Sequence, residues 1–153
     1  AFLAAELNVS VSSVSAFVLG GHGDDMVPVR SYTSIGGIPV EKMISSERLD
    51  AIEKRVRGAG GEVVALLKTG SAFYSPAASA IQMAEAYLFD QRKILAAAAL
   101  CNGEYGLKDL YIGVPVIIGA GGIEKIIEIE LNDSEKKALH ESAERVKALI
   151  AIL

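Results

Sequence analysis

Three apolar runs, Ile94–Leu100, Leu110–Ile118 and Ile123–Leu131, follow one another with Asn102-Gly103 and Gly119-Ala120-Gly121-Gly122 as the turn signals between them. A parallel crossover needs a dozen or more residues, so connections this short force antiparallel pairing. In the last run Glu128 and Glu130 alternate with Ile127, Ile129 and Leu131, the period of a strand with one wet face. Upstream, Val14–Leu19 reads as a buried strand, and Pro28–Ser34 as an extended segment leading into the turn Gly36-Gly37-Ile38-Pro39.

Helices flank this sheet. Ser46 is expected to cap a long one whose apolar stripe is Leu49, Ile52, Val56, Gly60, Val63 and Leu67, spaced for a helix straight through Gly58-Ala59-Gly60-Gly61. Glycines there predict either a kink or the close approach of another backbone, since each costs about 1 kcal/mol relative to alanine. A second helix starts near Pro76 with Ser75 as N-cap, runs to about Asp90 and buries Ile81, Ala84 and Leu88. A terminal helix is capped by Asp133 or Ser134 and turns Leu139, Val146, Leu149, Ile150 and Leu153 inward. The fold class is therefore α+β: an antiparallel sheet packed with long helices, in one domain spanning residues 1–153.

Composition narrows the function. With 51% hydrophobic residues in 153, the chain has material for a single sizeable core. Its formal charge of −4, without a basic stripe, argues against nucleic acid as a partner. The lone cysteine, Cys101, excludes an intrachain disulfide and a cysteine zinc cluster, and reads as a buried thiol in a reducing, cytoplasmic setting. No apolar run is long enough to span a bilayer as a helix. At the amino end, Phe2, Leu3 and Leu7 form the apolar side of what reads as the second half of a helix, without an N-cap or an initiator methionine, so the chain is expected to begin inside a larger protein.

The chemistry-bearing feature is Gly21-His22-Gly23, placed after the apolar strand and before Asp24-Asp25-Met26-Val27-Pro28. An imidazole held between glycines at a strand end is suited to moving a proton near neutral pH. His140, among charged residues of the terminal helix, reads instead as a solvated surface histidine. Two distant histidines and a buried cysteine give no metal-ligand spacing, and Asp24-Asp25 beside His22 is too small a set, so no metal is expected. Asp24 and Asp25 are expected to cap the following turn. Neither Gly58–Gly61 nor Gly119–Gly122 completes a dinucleotide-binding fingerprint, and no Walker sequence occurs.

Four blocks then carry a resemblance: Phe2-Leu3-Ala4-Ala5-Glu6-Leu7-Asn8-Val9-Ser10, Gly20 to Pro28, Leu67 to Ser79, and Tyr111-Ile112-Gly113-Val114-Pro115. In this order they resemble the C-terminal catalytic and substrate domain of malate dehydrogenases of the lactate-dehydrogenase-like type, over essentially the whole chain. The resemblance implies a reversible, NAD-dependent oxidation of malate to oxaloacetate, the tricarboxylic acid cycle reaction, with His22 as proton acceptor and donor. It places an orienting aspartate, a substrate-clamping arginine and an N-terminal NAD-binding Rossmann domain ahead of Ala1, outside this sequence. It sets Ala72 beside the substrate and Pro76 beside the nicotinamide ring, and it implies a homodimer or homotetramer.

One departure is Asp25, where relatives often carry threonine, serine or another small or polar residue; an extra carboxylate close to the imidazole is expected to favour its charged form, an effect that solvent exposure weakens. Lactate or another 2-hydroxy acid is the alternative substrate, NAD against NADP stays open, and an isolated fragment that folds and oligomerises without catalysis is the alternative to an enzyme.

Overall fold

The computed structural model describes residues 1–152. Helix α1 (Phe2–Leu7) leads to strand β1 (Val14–Gly20), then to β2 (Met26–Ile35) and the short β3 (Ile38–Pro39). Two helices follow, α2 (Ser46–Leu67) and α3 (Tyr74–Leu88), then β4 (Lys93–Asn102), β5 (Lys108–Gly119), β6 (Gly122–Ile126) and α4 (Asp133–Ile150). The sheet runs β3-β2-β1-β5-β4 with β6 paired to β5, and every pairing is antiparallel, as the short connections require.

Strand β5 is the hub. One edge pairs with β4 from Lys93↔Ile118 to Asn102↔Lys108; the other takes β1 at the single rung Gly20↔Gly113 and β6 from Val116 to Gly119. That shared edge explains a departure from the expected strand Ile123–Leu131. The ladder stops at Ile126, because further along β5 the edge belongs to β1. Residues 127–132 leave the sheet yet keep their alternation: Ile127, Ile129 and Leu131 are half-buried, while Glu128 and Glu130 are exposed. Their backbone is satisfied by other partners, Ile127 N–H donating to the Pro115 carbonyl (2.8 Å), Ile129 N–H to the Tyr105 hydroxyl (2.9 Å) and Glu130 N–H to the Tyr32 hydroxyl (3.2 Å).

Burial divides into two clusters rather than the single core expected. The larger sets alternate residues of β5 (Ile112, Val114, Val116) and β4 (Ala97, Ala99, Cys101) with Leu139 and Ala143 of α4. The smaller joins Ile35, Val40, Ile44, Leu49 and Ile52, with Phe2, Leu3 and Leu7 of α1 packed against it. Cys101 is buried as expected; burial pushes its thiol up from the ordinary value, and the nearby Glu104 and Glu128 carboxylates add to this.

The helices begin one or two residues from where their sequences suggested. The cap of α2 is Ser45, whose hydroxyl accepts from Arg48 N–H (3.3 Å), not Ser46. Helix α3 starts at Tyr74 without a side-chain cap, so Ser75 and Pro76 lie inside its first turn, and the helix ends at Leu88. Helix α4 is capped by Asn132, not by Asp133 or Ser134, in a reciprocal box: Asn132 Oδ1 accepts from Glu135 N–H (2.9 Å) and Glu135 Oε2 accepts from Asn132 N–H (3.1 Å). Glu135 is buried and also accepts from the N–H (3.0 Å) and hydroxyl (2.7 Å) of Ser31, tying α4 to β2. Replacing Asn132 by alanine removes one arm of the box while Ser31 still holds Glu135. The expected cost is about 1 kcal/mol, read as a lower urea midpoint at unchanged slope.

The helices also bury less than their periodicity suggests. In α2, Leu49 and Ile52 are buried, but Gly60, Val63 and Leu67 are exposed; a Cβ on Gly58, Gly60 or Gly61 meets nothing within 4 Å, and the helix runs unbroken. Neither a kink nor a close backbone accounts for these glycines within this chain. In α3, Ile81, Ala84 and Leu88 are all exposed and Ala86 is the buried residue. In α4, Leu139 is buried and Val146 half-buried, Leu149 and Ile150 are exposed, and Leu153 lies outside the described residues. A regular stripe marks an apolar face, and a sheet of this size covers only part of each. Among the described residues no helix is long and apolar enough to cross a membrane.

Candidate active site

The end of β1 makes the site. Gly20, with φ +87°, turns the chain out of the strand, and His22 follows in extended conformation (φ −98°, ψ 153°) with its side chain exposed. Residues Gly23–Asp25 form one 3-10 turn, and Met26 re-enters the sheet opposite Gly20. Gly20 and Gly113 face each other so closely that a Cβ on Gly113 falls 2.7 Å from the Gly20 carbonyl oxygen. Only glycine permits this approach, and it joins β1 to the middle of β5 two residues before the histidine.

Three side chains from two helices secure the turn. The hydroxyl of Ser142 on α4, fully buried, accepts from Gly21 N–H (2.8 Å) and donates to the Asp25 carbonyl (2.8 Å). Arg145, one turn further along α4, forms an ion pair with the Asp25 carboxylate. Arg57 of α2 donates from Nε to the Met26 carbonyl (3.1 Å). The backbone of the turn is thus tied from both sides, while the imidazole stays open to solvent. An exposed, mountable acid–base group on a rigid base is suited to a substrate arriving from outside the domain.

Several sequence expectations change here. The 3-10 turn has no side-chain cap, so Asp24 and Asp25 do not cap it; the Asp25 carboxylate is engaged by Arg145 and is not free to act on His22 alone. His140 is not a solvated surface residue. It is half-buried, its Nε2 within 3.0 Å of the Tyr105 carbonyl, against a loop where Tyr105 sits at φ +55°. The Tyr105 hydroxyl donates to the Ile127 carbonyl (2.9 Å), and burial raises it above the ordinary tyrosine value.

Ala72 is half-buried in the connection between α2 and α3, and Pro76 is exposed in the first turn of α3. None of the hydrogen bonds and ion pairs that secure the His22 turn involves that segment. Sequence reasoning missed Ser142, Arg57 and Arg145. Ser142 carried a legible signal: it occupies the apolar stripe of α4 between Leu139 and Val146, where a hydroxyl must find buried partners.

An apolar cavity of about 290 Å³ lies elsewhere, between α1, β1, β2 and α2, and His22 is not in its lining. Its charged members, Arg30 and Glu53, pair with each other. Among the described residues no cluster of three or more metal-ligating side chains occurs.

The fold matches known proteins throughout. The model of the lactate/malate dehydrogenase α/β C-terminal domain covers residues 1–152. That defines the class: a dehydrogenase domain of the α/β C-terminal type. Among curated relatives, the malate dehydrogenase of Bacillus cytotoxicus is 59% identical over 152 residues, 99% of this chain and 49% of that protein. Among solved structures, the malate dehydrogenase of Salinibacter ruber superposes with a TM-score of 0.95 at 52% identity, covering 98% of this chain and 49% of that one. A lactate dehydrogenase from Cryptosporidium parvum, solved with lactic acid and nicotinamide adenine dinucleotide, gives 0.95 at 44% identity, covering 99% and 49%. The chain belongs to the lactate/malate dehydrogenase family and spans about half the length of the curated relatives it matches.

Proposed function

We propose that this chain is the substrate and acid–base domain of an NAD-dependent malate dehydrogenase, with His22 taking the hydroxyl proton of malate and returning it to oxaloacetate. The observation that carries this reading is the exposed imidazole on a turn tied by Ser142, Arg145 and Arg57, in a chain 59% identical to a malate dehydrogenase. In the oxidising direction the neutral imidazole accepts the proton as the C–H hydride departs; in the reducing direction the imidazolium donates it. NAD, when bound, supplies the hydride acceptor.

The residues of this chain fit only the nicotinamide end of that cofactor. Gly58–Gly61 lie mid-helix, and Gly119–Gly122 form the β5–β6 hairpin, where the Asp90 carboxylate already accepts from Ala120 N–H (2.9 Å). Neither is the strand-to-helix turn that cradles a pyrophosphate. The first turn of α3, by contrast, carries Pro76 close in sequence to exposed Phe73 and Tyr74, a surface suited to a flat ring; the resemblance assigns Ala72 to the substrate side. The phosphates then belong to the N-terminal half that the family resemblance calls for. Exposed Val63, Leu66, Leu67, Leu88 and Phe89 suit contact with that half or with a second copy in a dimer or tetramer. A buried, reduced Cys101 suits a cytoplasmic enzyme.

The test joins residues 1–153 to the amino-terminal half of the Bacillus cytotoxicus relative and follows NADH formation. Turnover with malate well above turnover with lactate is expected, and none by the 153-residue chain alone. Lactate is the competing reading because a lactate-bound relative shares the fold at 44% identity; a second fusion to the amino-terminal half of that lactate dehydrogenase supplies the counter-test, and lactate turnover there beside no malate turnover in the Bacillus fusion overturns the malate assignment.

A further inference from the structure

We infer that Ser142 is a positioning residue for His22, its hydroxyl standing in for a missing rung of the β1–β2 ladder; this rests on the acid–base role proposed for His22. The last paired residues of that ladder are Gly20 and Met26, so the next antiparallel rung falls to Gly21 and Asp25. These two do not bond to each other. Gly21 N–H donates to Ser142 Oγ at 2.8 Å, and Ser142 Oγ–H donates to the Asp25 carbonyl at 2.8 Å, so one hydroxyl is inserted where a direct N–H to carbonyl bond belongs.

The insertion holds the two strands apart at the residue before the histidine. Its surroundings leave it little freedom. Ser142 is fully buried, a Cβ on Gly20 falls 2.8 Å from its oxygen, and a Cβ on Gly21 falls 3.4 Å from Val146 Cγ2 and 3.1 Å from Asp25 Cβ. Arg145 grips the Asp25 side chain from the same face of α4, so the helix holds both the backbone and the side chain of that residue. Removing the hydroxyl frees Gly21 N–H and the Asp25 carbonyl to close onto each other, which satisfies the backbone but moves the base of the turn that aims the imidazole. Fold and aim therefore separate in this one substitution.

The experiment compares wild type, Ser142→Ala, Ser142→Cys and His22→Asn in the joined enzyme, and records the His22 ring proton signals of the 153-residue chain by NMR. Expected for Ser142→Ala is a fall in kcat of about 10- to 100-fold, the cost of a misaimed group, with KM for malate changed less than about threefold, and shifted His22 signals beside unmoved His140 signals. Ser142→Cys, whose thiol both donates and accepts weakly, recovers part of the loss and decides the matter if the alanine variant fails to fold. Unchanged kcat in a folded Ser142→Ala enzyme overturns the proposal, as does a parallel collapse of kcat, KM and signal dispersion that Ser142→Cys does not relieve. A His22→Asn enzyme of wild-type activity overturns instead the reading underneath, whatever Ser142 does.

Discussion

His22→Asn in the joined enzyme is expected to lower malate turnover by about 10²- to 10⁴-fold, the range a positioned acid–base group contributes, with KM for malate affected far less. Asparagine keeps a hydrogen-bonding side chain of comparable reach but does not titrate. The backbone around it should not respond, because the ties that shape the turn run through Gly21, Asp25 and Met26 and none uses the imidazole. Stability equal to wild type beside lost turnover is therefore the signature. Steady-state kinetics in both directions completes the test: oxidation needs the neutral ring and gains toward alkaline pH, reduction needs the charged ring and gains toward acid, and the variant should lose both dependences. Retained turnover with the wild-type pH profile would assign the proton to another group.

Gly20→Ala is the substitution expected to damage the fold most for the least added mass. A Cβ there falls 2.8 Å from the Asp25 carbonyl oxygen, 2.8 Å from Ser142 Oγ and 3.1 Å from Val27 Cγ2, and the backbone is at φ +87°. The left-handed conformation costs an L-residue about 1–2 kcal/mol, and forcing a methyl into a filled site about 1–3 more, so about 2–5 kcal/mol of stability should be lost. Gly23 supplies the comparison. Its φ is +74° but a Cβ meets nothing within 4 Å, so Gly23→Ala carries only the conformational part, about 1–2 kcal/mol. Urea unfolding of the two variants separates crowding from backbone strain. Equal midpoints would mean that the crowding of Gly20 against the Asp25 carbonyl, Val27 and Ser142 relaxes without cost.

How much of this was legible beforehand varies from residue to residue. The antiparallel order of β4, β5 and β6 was readable because their turns are too short for anything else. His22 was readable because an imidazole between glycines after an apolar strand is chemically conspicuous. The helix caps were misplaced by a residue or two, since Ser45 and Ser46, or Asn132 and Asp133, are all competent capping residues and only the entry path of the chain chooses between them. Ala72 and Pro76 enter through the family resemblance alone, since their side chains carry no chemical signal of their own.

What the sequence by itself determined is the local and the periodic: an antiparallel meander, helices with apolar stripes, a buried thiol, and a histidine delivered at a strand end. Those properties depend on residues close along the chain. What only the tertiary structure decided is which stripe is covered and what holds the histidine. Ile81 and Leu88 stay exposed and Ala86 is buried because the sheet reaches only part of α3. Ser142 lies 121 residues from Gly21, and its hydroxyl completes the β1–β2 ladder only because α4 crosses the end of those strands. Hydrogen bonding and packing act over a few ångströms of space, and the chain brings those partners within range only after it has folded.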